Sequence, residues 1–307
     1  MQSKNQKHQF SLSQHTHICL FDFVVREIKL SWLFIYRDIS ATILPGIVMV
    51  LVSWWSSNAT WNVLPVYILY MILHMGLSIY TFCLSNQVAA IEEDRVNKPD
   101  RPLPAGLTTV KEVYIRLIIS NILYLAISYY LGLIWFTVAW QLITFLLNNM
   151  NWGKHWVSKN LLGMTGGTFA LFCAQWQIVQ PLSKEVWIYM AAYSIWVGVS
   201  ILIQDLRDQE GDRLHGRRTL PLAIGDVGAR TLLSIYFVIL SPLIFIGAAS
   251  LGLFSNPEKW TLLVIEVLVS WLIAYRTWVC RTAKGDHKTY MWFTYLADFN
   301  LLFVAFI

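Results

Sequence analysis

Charge is scarce in this chain: Asp, Glu, Lys and Arg make up 13% of its 307 residues, where soluble domains carry about a quarter. So little charge cannot cover a water-facing surface, and with 56% of the residues hydrophobic the chain reads as an integral membrane protein. Cysteine is sparse too. Cys19, Cys83, Cys173 and Cys280 lie far apart, three of them in apolar segments, so neither a disulfide framework nor a cysteine metal site follows. An internal repeat and a matched pair of interrupted apolar helices are both missing. That argues against a transporter, although Glu266, Arg276 and Asp298 fall within apolar segments where ionisable groups often mark pathways. The net charge of +5 does not point to nucleic acid, because membrane proteins collect cations in their cytoplasmic loops. No nucleic-acid partner and no obligatory protein partner are expected.

What is present is a series of apolar runs. A spanning helix needs about 20 mostly apolar residues, and nine segments qualify: roughly 39–57, 63–86, 112–131, 133–150, 160–180, 186–204, 230–251, 260–280 and 289–307. The expected architecture is an all-α bundle of about nine transmembrane helices in one domain, residues 37–307. Residues 1–17 are polar and read as a disordered tail. Residues 18–36 place Asp22, Arg26 and Lys29 on one face of an otherwise apolar helix, a pattern that suits either a helix lying in the membrane interface or one packed on the bundle.

Loop charge sets the orientation. With the N-terminus in the cytoplasm, every one of the 23 cations except Lys184 and Lys259 falls in or beside a cytoplasmic loop, as the positive-inside rule requires. Two polar stretches then open on the same face: Asn86–Gly106, NQVAAIEEDRVNKPDRPLPAG, and Gln204–Pro221, QDLRDQEGDRLHGRRTLP.

Each stretch carries acids beside cations and ends in Arg-(Pro or Thr)-Leu-Pro. In a helical continuation Asn86 and Glu93 lie nearly in line, with Asp94 about 80° round the axis. Asp205, Asp208 and Asp212 are spaced i, i+3, i+7, which on one α-helix stacks three carboxylates. A hard divalent cation such as Mg²⁺ would relieve their repulsion, and Arg95, Lys98, Arg101, Lys154 and Lys159 would offset phosphate charge. A single such loop is more often a solvated turn. Two matching loops on one face point to a shared site.

The paired stretches resemble the aspartate-rich motifs of the UbiA superfamily of intramembrane prenyltransferases, in particular its fungal terpene cyclase branch. Asn86, Asp94, Arg101-Pro102-Leu103-Pro104 and Gly106 match the first motif; Asp208, Asp212, Arg213 and Gly216 match the second, with Asp205 as a further acid. Gln87 and Ala90 stand where that family has two more carboxylates. The resemblance implies a UbiA-like bundle with a cytoplasm-facing cavity in which Mg²⁺ and an isoprenyl diphosphate bind and the diphosphate is ionised. The candidate catalytic residues are then Asn86, Asp94, Asp205, Asp208 and Asp212, the Mg²⁺ ligands these five with Glu93, and the diphosphate ligands Lys98, Arg101, Lys154 and Arg213.

Losing diphosphate leaves a carbocation, which aromatic faces stabilise and keep dry. Phe169, Phe172 and Trp176 form one helical stripe; Tyr193 and Trp196 belong to another. They are candidate cation-lining groups, although such stripes are more often packing. Two outcomes are open for the cation: ring closure by the chain's own double bonds, giving a class I-type terpene cyclase of farnesyl or geranylgeranyl diphosphate, or capture by an aromatic acceptor, giving a prenyltransferase. The altered first motif favours the cyclase. The resemblance to fungal members suggests an endomembrane such as the endoplasmic reticulum.

Overall fold

A computed structural model describes residues 20–250, 252, 254 and 259–307; the tail expected over residues 1–17 lies outside them. The described residues form α-helices joined by short turns: α1 (Leu20–Ile35), α2 (Ile43–Ser56), α3 (Leu64–Ala89), α4 (Ile91–Asn97), α5 (Val110–Tyr130), α6 (Ile134–Asn149), α7 (Thr165–Gln177), α8 (Lys184–Ser200), α9 (Gln209–Leu214), α10 (Leu220–Ile224), α11 (Asp226–Ile235), α12 (Ser241–Ser250), α13 (Lys259–Val279) and α14 (Ala283–Asn300). Local chemistry sets several boundaries. Pro65 and Pro221 stand in the first turns of α3 and α10, where the missing N–H costs nothing. Thr109 and Glu112 form a reciprocal capping box at the start of α5, and Ser183 and Thr282 cap α8 and α14, each satisfying a backbone donor the helix leaves free.

Among the described residues, four helical stretches are long and apolar enough to cross a membrane: Trp61–Ala89, Lys184–Leu206, Asp226–Ser250 and Lys259–Val279. These coincide with four of the nine expected spans. The other five are not among them; of these, the α2 helix has 14 residues and α6 has 16. The chain is thus an all-α multi-pass membrane protein, and the count by length and composition is four.

The α1 helix is docked on the bundle by one side. Arg116 of α5 holds Glu27 through two bonds of 2.6 and 2.8 Å, while Leu30 and Phe34 are buried. Its other side leaves Phe21, Val24, Val25, Ile28 and Trp32 exposed, an apolar stripe suited to lipid.

The core is aromatic. Tyr189, Tyr193 and Trp196 of α8 follow one another ring to ring, Trp196 meets Phe245 of α12 and Phe293 of α14, and Phe245 stacks on Phe303. Each polar tip of these α8 rings has a partner, as a buried donor requires. Tyr193 Oη donates to the Ala297 carbonyl at 2.9 Å and Tyr189 Oη to that of Asn300 at 2.5 Å; Trp196 Nε1 donates to Ser241 Oγ at 2.9 Å. Ser241 and Ser270 both donate to the buried Glu266, at 2.9 Å each, so that acid sits in a hydroxyl cluster inside the core. These bonds fix α8 against α14, and α8 is the helix that delivers the second polar stretch. A close approach brings it to the start of α7 and the segment before it: a Cβ at Gly198 would lie 1.9 Å from Thr165 Oγ1 and 3.0 Å from the Asn160 carbonyl oxygen, so only glycine fits there.

Candidate active site at the polar end of the bundle

The first polar stretch begins as the last turn of α3, which stops at Ala90 before α4 restarts at Ile91. Backbone bonds from Ala90 N–H to Asn86 and from Asp94 N–H to Ala90 run across the break, and Asn86, Ala90 and Glu93 border the same cavity. Asn86 is held in place from two sides. Its Nδ2 donates to Asn148 Oδ1 at 3.3 Å, and its Oδ1 accepts from Arg101 at 3.4 Å. Arg101 also donates to Asp94 at 2.6 Å; this pair is almost closed to solvent, with the acid's side chain 3% exposed. Gly106, at φ +70°, takes the left-handed conformation that lets the proline-rich turn fold back.

The second stretch is broken as well. Residues Ile201–Leu206 tighten into a 3₁₀ helix, and α9 starts only at Gln209. A 3₁₀ turn advances three residues per turn rather than 3.6. The expected stack of Asp205, Asp208 and Asp212 on one α-helical face is therefore corrected: Asp205 and Asp212 are buried, while Asp208 is exposed between the two elements. Asp205 accepts from Lys159 Nζ at 3.2 Å and from Asn160 Nδ2 at 3.4 Å. Asp208 pairs with Arg207 at 3.2 Å. Asp212 Oδ1 lies 3.7 Å from Arg217, and its Oδ2 is buried with no partner. Burial pushes the Asp212 carboxyl up to about 6, against the pull of Lys159 and Arg217.

What joins the two stretches is Arg217. Its Nη2 reaches both oxygens of Glu93, at 2.8 and 2.9 Å, a charge-assisted contact. Gly216, at φ +63°, supplies the left-handed turn that sends Arg217 back toward α4, closed by the Arg217 N–H bond to the Asp212 carbonyl at 2.9 Å. The loop after α6 is tied in by backbone: Arg218 N–H donates to the Lys154 carbonyl and Trp156 N–H to the Arg218 carbonyl, at 2.8 and 2.9 Å.

Three cavities lie side by side along this seam. One of about 200 Å³ is bordered by Asn86, Ala90, Glu93, Lys154, Lys159 and Arg217. A second, of about 460 Å³, shares Glu93 and Arg217 with it and adds Lys98, Arg207, Asp208 and Asp212. The third, of about 820 Å³, shares Lys98, Arg207 and Asp208 and adds Arg101. Shared walls make them one polar cleft. Burial lowers the Lys98 ammonium from its ordinary value.

Of the residues singled out in the sequence, the cleft brings together Asn86, Glu93, Lys98, Arg101, Lys154, Asp208 and Asp212. Asp94 and Asp205 sit behind it, buried and ion-paired. Arg213 is exposed and borders none of the three cavities. Phe172, Trp176, Tyr193 and Trp196 are packed into the core, and Phe169 rests on Trp187; none of the five borders these cavities. Arg217, Asn148 and Asn160 were not expected as site residues. Arg217 is one arginine among several in its stretch, and the two asparagines are distant in sequence from their partners, Asn86 for Asn148 and Asp205 for Asn160.

The donors fit a hard divalent cation in kind: they are carboxylate and amide oxygens, and Asp212 Oδ2 is a buried oxygen with no partner. Among the described residues, however, no three acidic, His or Cys side chains are gathered closely enough to hold an ion together. The carboxylates are spread among Arg101, Lys159, Arg207 and Arg217 instead.

The chain is similar to known proteins over most of its length. The chain is 34% identical over 293 residues to the diterpene cyclase eriG of Hericium erinaceus, covering 93% of this chain and 90% of that one. It is 32% identical to the polyprenyl transferase eriF of the same organism, covering 92% and 96%. The fold superposes on a UbiA homologue from Archaeoglobus fulgidus, solved with GPP and Mg²⁺, at a TM-score of 0.62 and 15% identity, covering 89% of this chain and 99% of that one. The UbiA prenyltransferase family pattern matches residues 42–300, and the chain belongs to that family.

Proposed function

We propose that the protein ionises an isoprenyl diphosphate of farnesyl or geranylgeranyl length and cyclises the resulting cation to a terpene hydrocarbon, releasing diphosphate. The observation that carries this reading is the Glu93–Arg217 bridge, which joins two acid-and-cation stretches, 124 residues apart in sequence, over one continuous cleft. Such a cleft suits a ligand that needs cations for its phosphates and carboxylates for a metal. The likeness to a diterpene cyclase supports the ring-closing outcome, as does the shortage of carboxylates in the first stretch. There Gln87 is buried with Oε1 unpartnered, and Ala90 borders the smallest cavity.

Lys98, Arg101 and Lys154 face the cleft as ligands for the diphosphate oxygens, while Arg213 is too far out on the surface to join them without moving. Asp205, Asp208 and Asp212, with Asn86, Glu93 and Asp94, are the residues that would hold Mg²⁺. The ion would neutralise charge on the departing diphosphate. Binding a diphosphate gives Arg101, Lys159 and Arg217 a new anion and frees the carboxylates they now hold. The allylic C–O bond then breaks with its electron pair leaving on diphosphate oxygen. A double bond of the same chain attacks the cation, forming a C–C bond, and loss of a proton restores an alkene. Phe82, on the wall of the 200 Å³ cavity and 5.6 Å from Trp140, offers a ring face near the site. The nine-pass arrangement with its cleft on the cytoplasmic side of an endomembrane belongs to the same proposal, supported by the cation asymmetry of the loops.

Transfer to an aromatic acceptor is the second reading, favoured by the near-equal identity to a polyprenyl transferase. One experiment separates them. Detergent-purified protein is incubated with Mg²⁺ and farnesyl or geranylgeranyl diphosphate without acceptor, and the extract is analysed by gas chromatography–mass spectrometry. A cyclic hydrocarbon that disappears with EDTA is expected. Turnover that appears only when a phenolic acceptor is added would replace cyclisation with transfer.

A further inference from the structure

A separate pocket of about 280 Å³ lies between α3, α5 and α6, outside the cleft. Helical spacing brings its polar walls together: Thr81 and Ser85 are one turn apart on α3, Asn121 faces them from α5, and Gln141, Thr144 and Asn149 follow one side of α6. Six of the nine lining residues are thus hydroxyls or amides, and none is charged. Beside the pocket Ile118, Ile122, Leu142 and Phe145 are exposed, and on an integral membrane protein such a surface meets acyl chains.

Part of the polar lining is used within the protein. Asn121 Nδ2 donates to the Leu117 carbonyl at 2.7 Å and its Oδ1 accepts from Gln141 Nε2 at 2.8 Å. Thr81 Oγ1 donates to the Leu77 carbonyl at 2.8 Å, as a helical threonine commonly does. Ser85 Oγ accepts from Asn148 Nδ2 at 3.1 Å, and Asn148 Oδ1 accepts from Asn86 at 3.3 Å. Those three side chains wall the pocket off from the 200 Å³ cavity. The rest of the lining is spare. Among the described residues Gln141 Oε1 and the Asn149 amide make no hydrogen bond, and Thr144 Oγ1 is buried without a partner, not bonded back to its own helix.

These groups narrow the occupant. A charged head group would find no counter-ion here and would lose its hydration. A plain hydrocarbon would leave the spare amide and hydroxyl groups unmet, which is costly where water is scarce. The volume falls just below the range of about 300–1,000 Å³ that holds a whole drug-sized ligand, so it takes a ring-sized head and not an entire lipid.

We propose that this pocket binds the hydroxyl-bearing head of an uncharged, lipid-soluble alcohol drawn from the bilayer. Gln141 Oε1 accepts from the hydroxyl, Thr144 and Asn149 complete its hydrogen bonds, and the hydrocarbon body lies along the exposed apolar face of α5 and α6. A membrane sterol and an isoprenoid alcohol share this chemistry.

The test uses the full chain in dodecylmaltoside, titrated in EDTA with tritiated cholesterol and, separately, tritiated farnesol in a scintillation proximity assay. Saturable binding of at least one is expected; cholesterol alone would make the ligand a membrane sterol, farnesol alone an isoprenoid alcohol, and either supports the site. The matching hydrocarbons without the hydroxyl, cholestane and farnesane, should compete poorly. T144V and N149L should each weaken binding, and the double variant should weaken it by about tenfold, as the loss of two neutral hydrogen bonds implies. Their melting temperatures should not fall, since neither side chain has a hydrogen-bond partner to lose. Absence of saturable binding by both alcohols overturns the assignment, and so does unchanged affinity in the double variant. Equal competition by the hydrocarbons would make the pocket a merely apolar groove and overturn it too. Displacement of the alcohol by excess geranylgeranyl diphosphate would put it in the cleft instead, with the same consequence.

Discussion

The two polar stretches look alike in sequence and are built differently. In the first, Asp94 is satisfied within its own stretch by Arg101, seven residues on. In the second, Asp205 and Asp212 turn to cations outside it or late in it, Lys159 and Arg217, and Asp212 keeps one oxygen free. A carboxylate neutralised by a neighbour in its own turn stiffens that turn. One left partly open in a buried place costs stability and is available to a ligand. The first stretch thus reads as the firmer half of the clamp and the second as the half with a vacant valence.

The widest break in that comparison should come from the second stretch. Asp212→Ala or Asp208→Ala is expected to lower kcat by about 10²–10³, the loss typical of removing one electrostatic stabiliser of a charged transition state, with the melting temperature nearly unchanged for the exposed Asp208 and not lowered for the buried Asp212. Turnover within a few-fold of the unsubstituted protein in either variant would remove the carboxylate clamp. The first stretch should answer in stability instead. Arg101→Met leaves Asp94 buried and uncompensated, at a cost of about 3–5 kcal/mol, measurable as a shifted denaturation midpoint in detergent. An intact midpoint would mean that Asp94 finds another partner and the stretch is not stiff.

A pH titration sharpens the contrast. The Asp212 carboxyl titrates near 6 in the folded chain against an ordinary value of 3.8, so between these values the folded state holds a proton the unfolded state has lost. Stability without divalent cations therefore falls as pH rises through that window. Asp212→Asn should flatten this slope in EDTA. A slope equal to that of the unsubstituted protein would place the free valence elsewhere. The smallest effect is expected from Ala90→Asp, which restores a carboxylate beside Asn86 and Glu93. It should lower the Mg²⁺ concentration for half-maximal turnover by a few-fold, and no change would mean that the first stretch takes no part in holding the ion.

Much of this site was legible before any coordinates. The density of acids and cations in two short runs, each closed by a proline turn, is visible because a membrane chain has so few charges elsewhere. The partners were not. Asn148 and Asn160 look like ordinary polar residues near helix ends until α6 and the segment before α7 are brought against α3 and the 3₁₀ turn. The aromatic stripes show the opposite limit. Period alone places Tyr193 and Trp196 on a face of α8, but only packing shows that face turned to Ala297 and Ser241 rather than to the cleft.

The sequence by itself determined the solvent of this protein, its helical class and the two stretches that carry its chemistry, because hydropathy, helix caps and turn residues act over a few neighbouring positions. Tertiary structure alone decided which carboxylates are paired and which is left open, that Arg217 bridges the stretches, and that α14 lends its lysines to the 820 Å³ cavity. Those depend on the phase of each helix after a break and on which faces meet. A single 3₁₀ turn such as Ile201–Leu206 rotates everything downstream, and no local pattern records the angle.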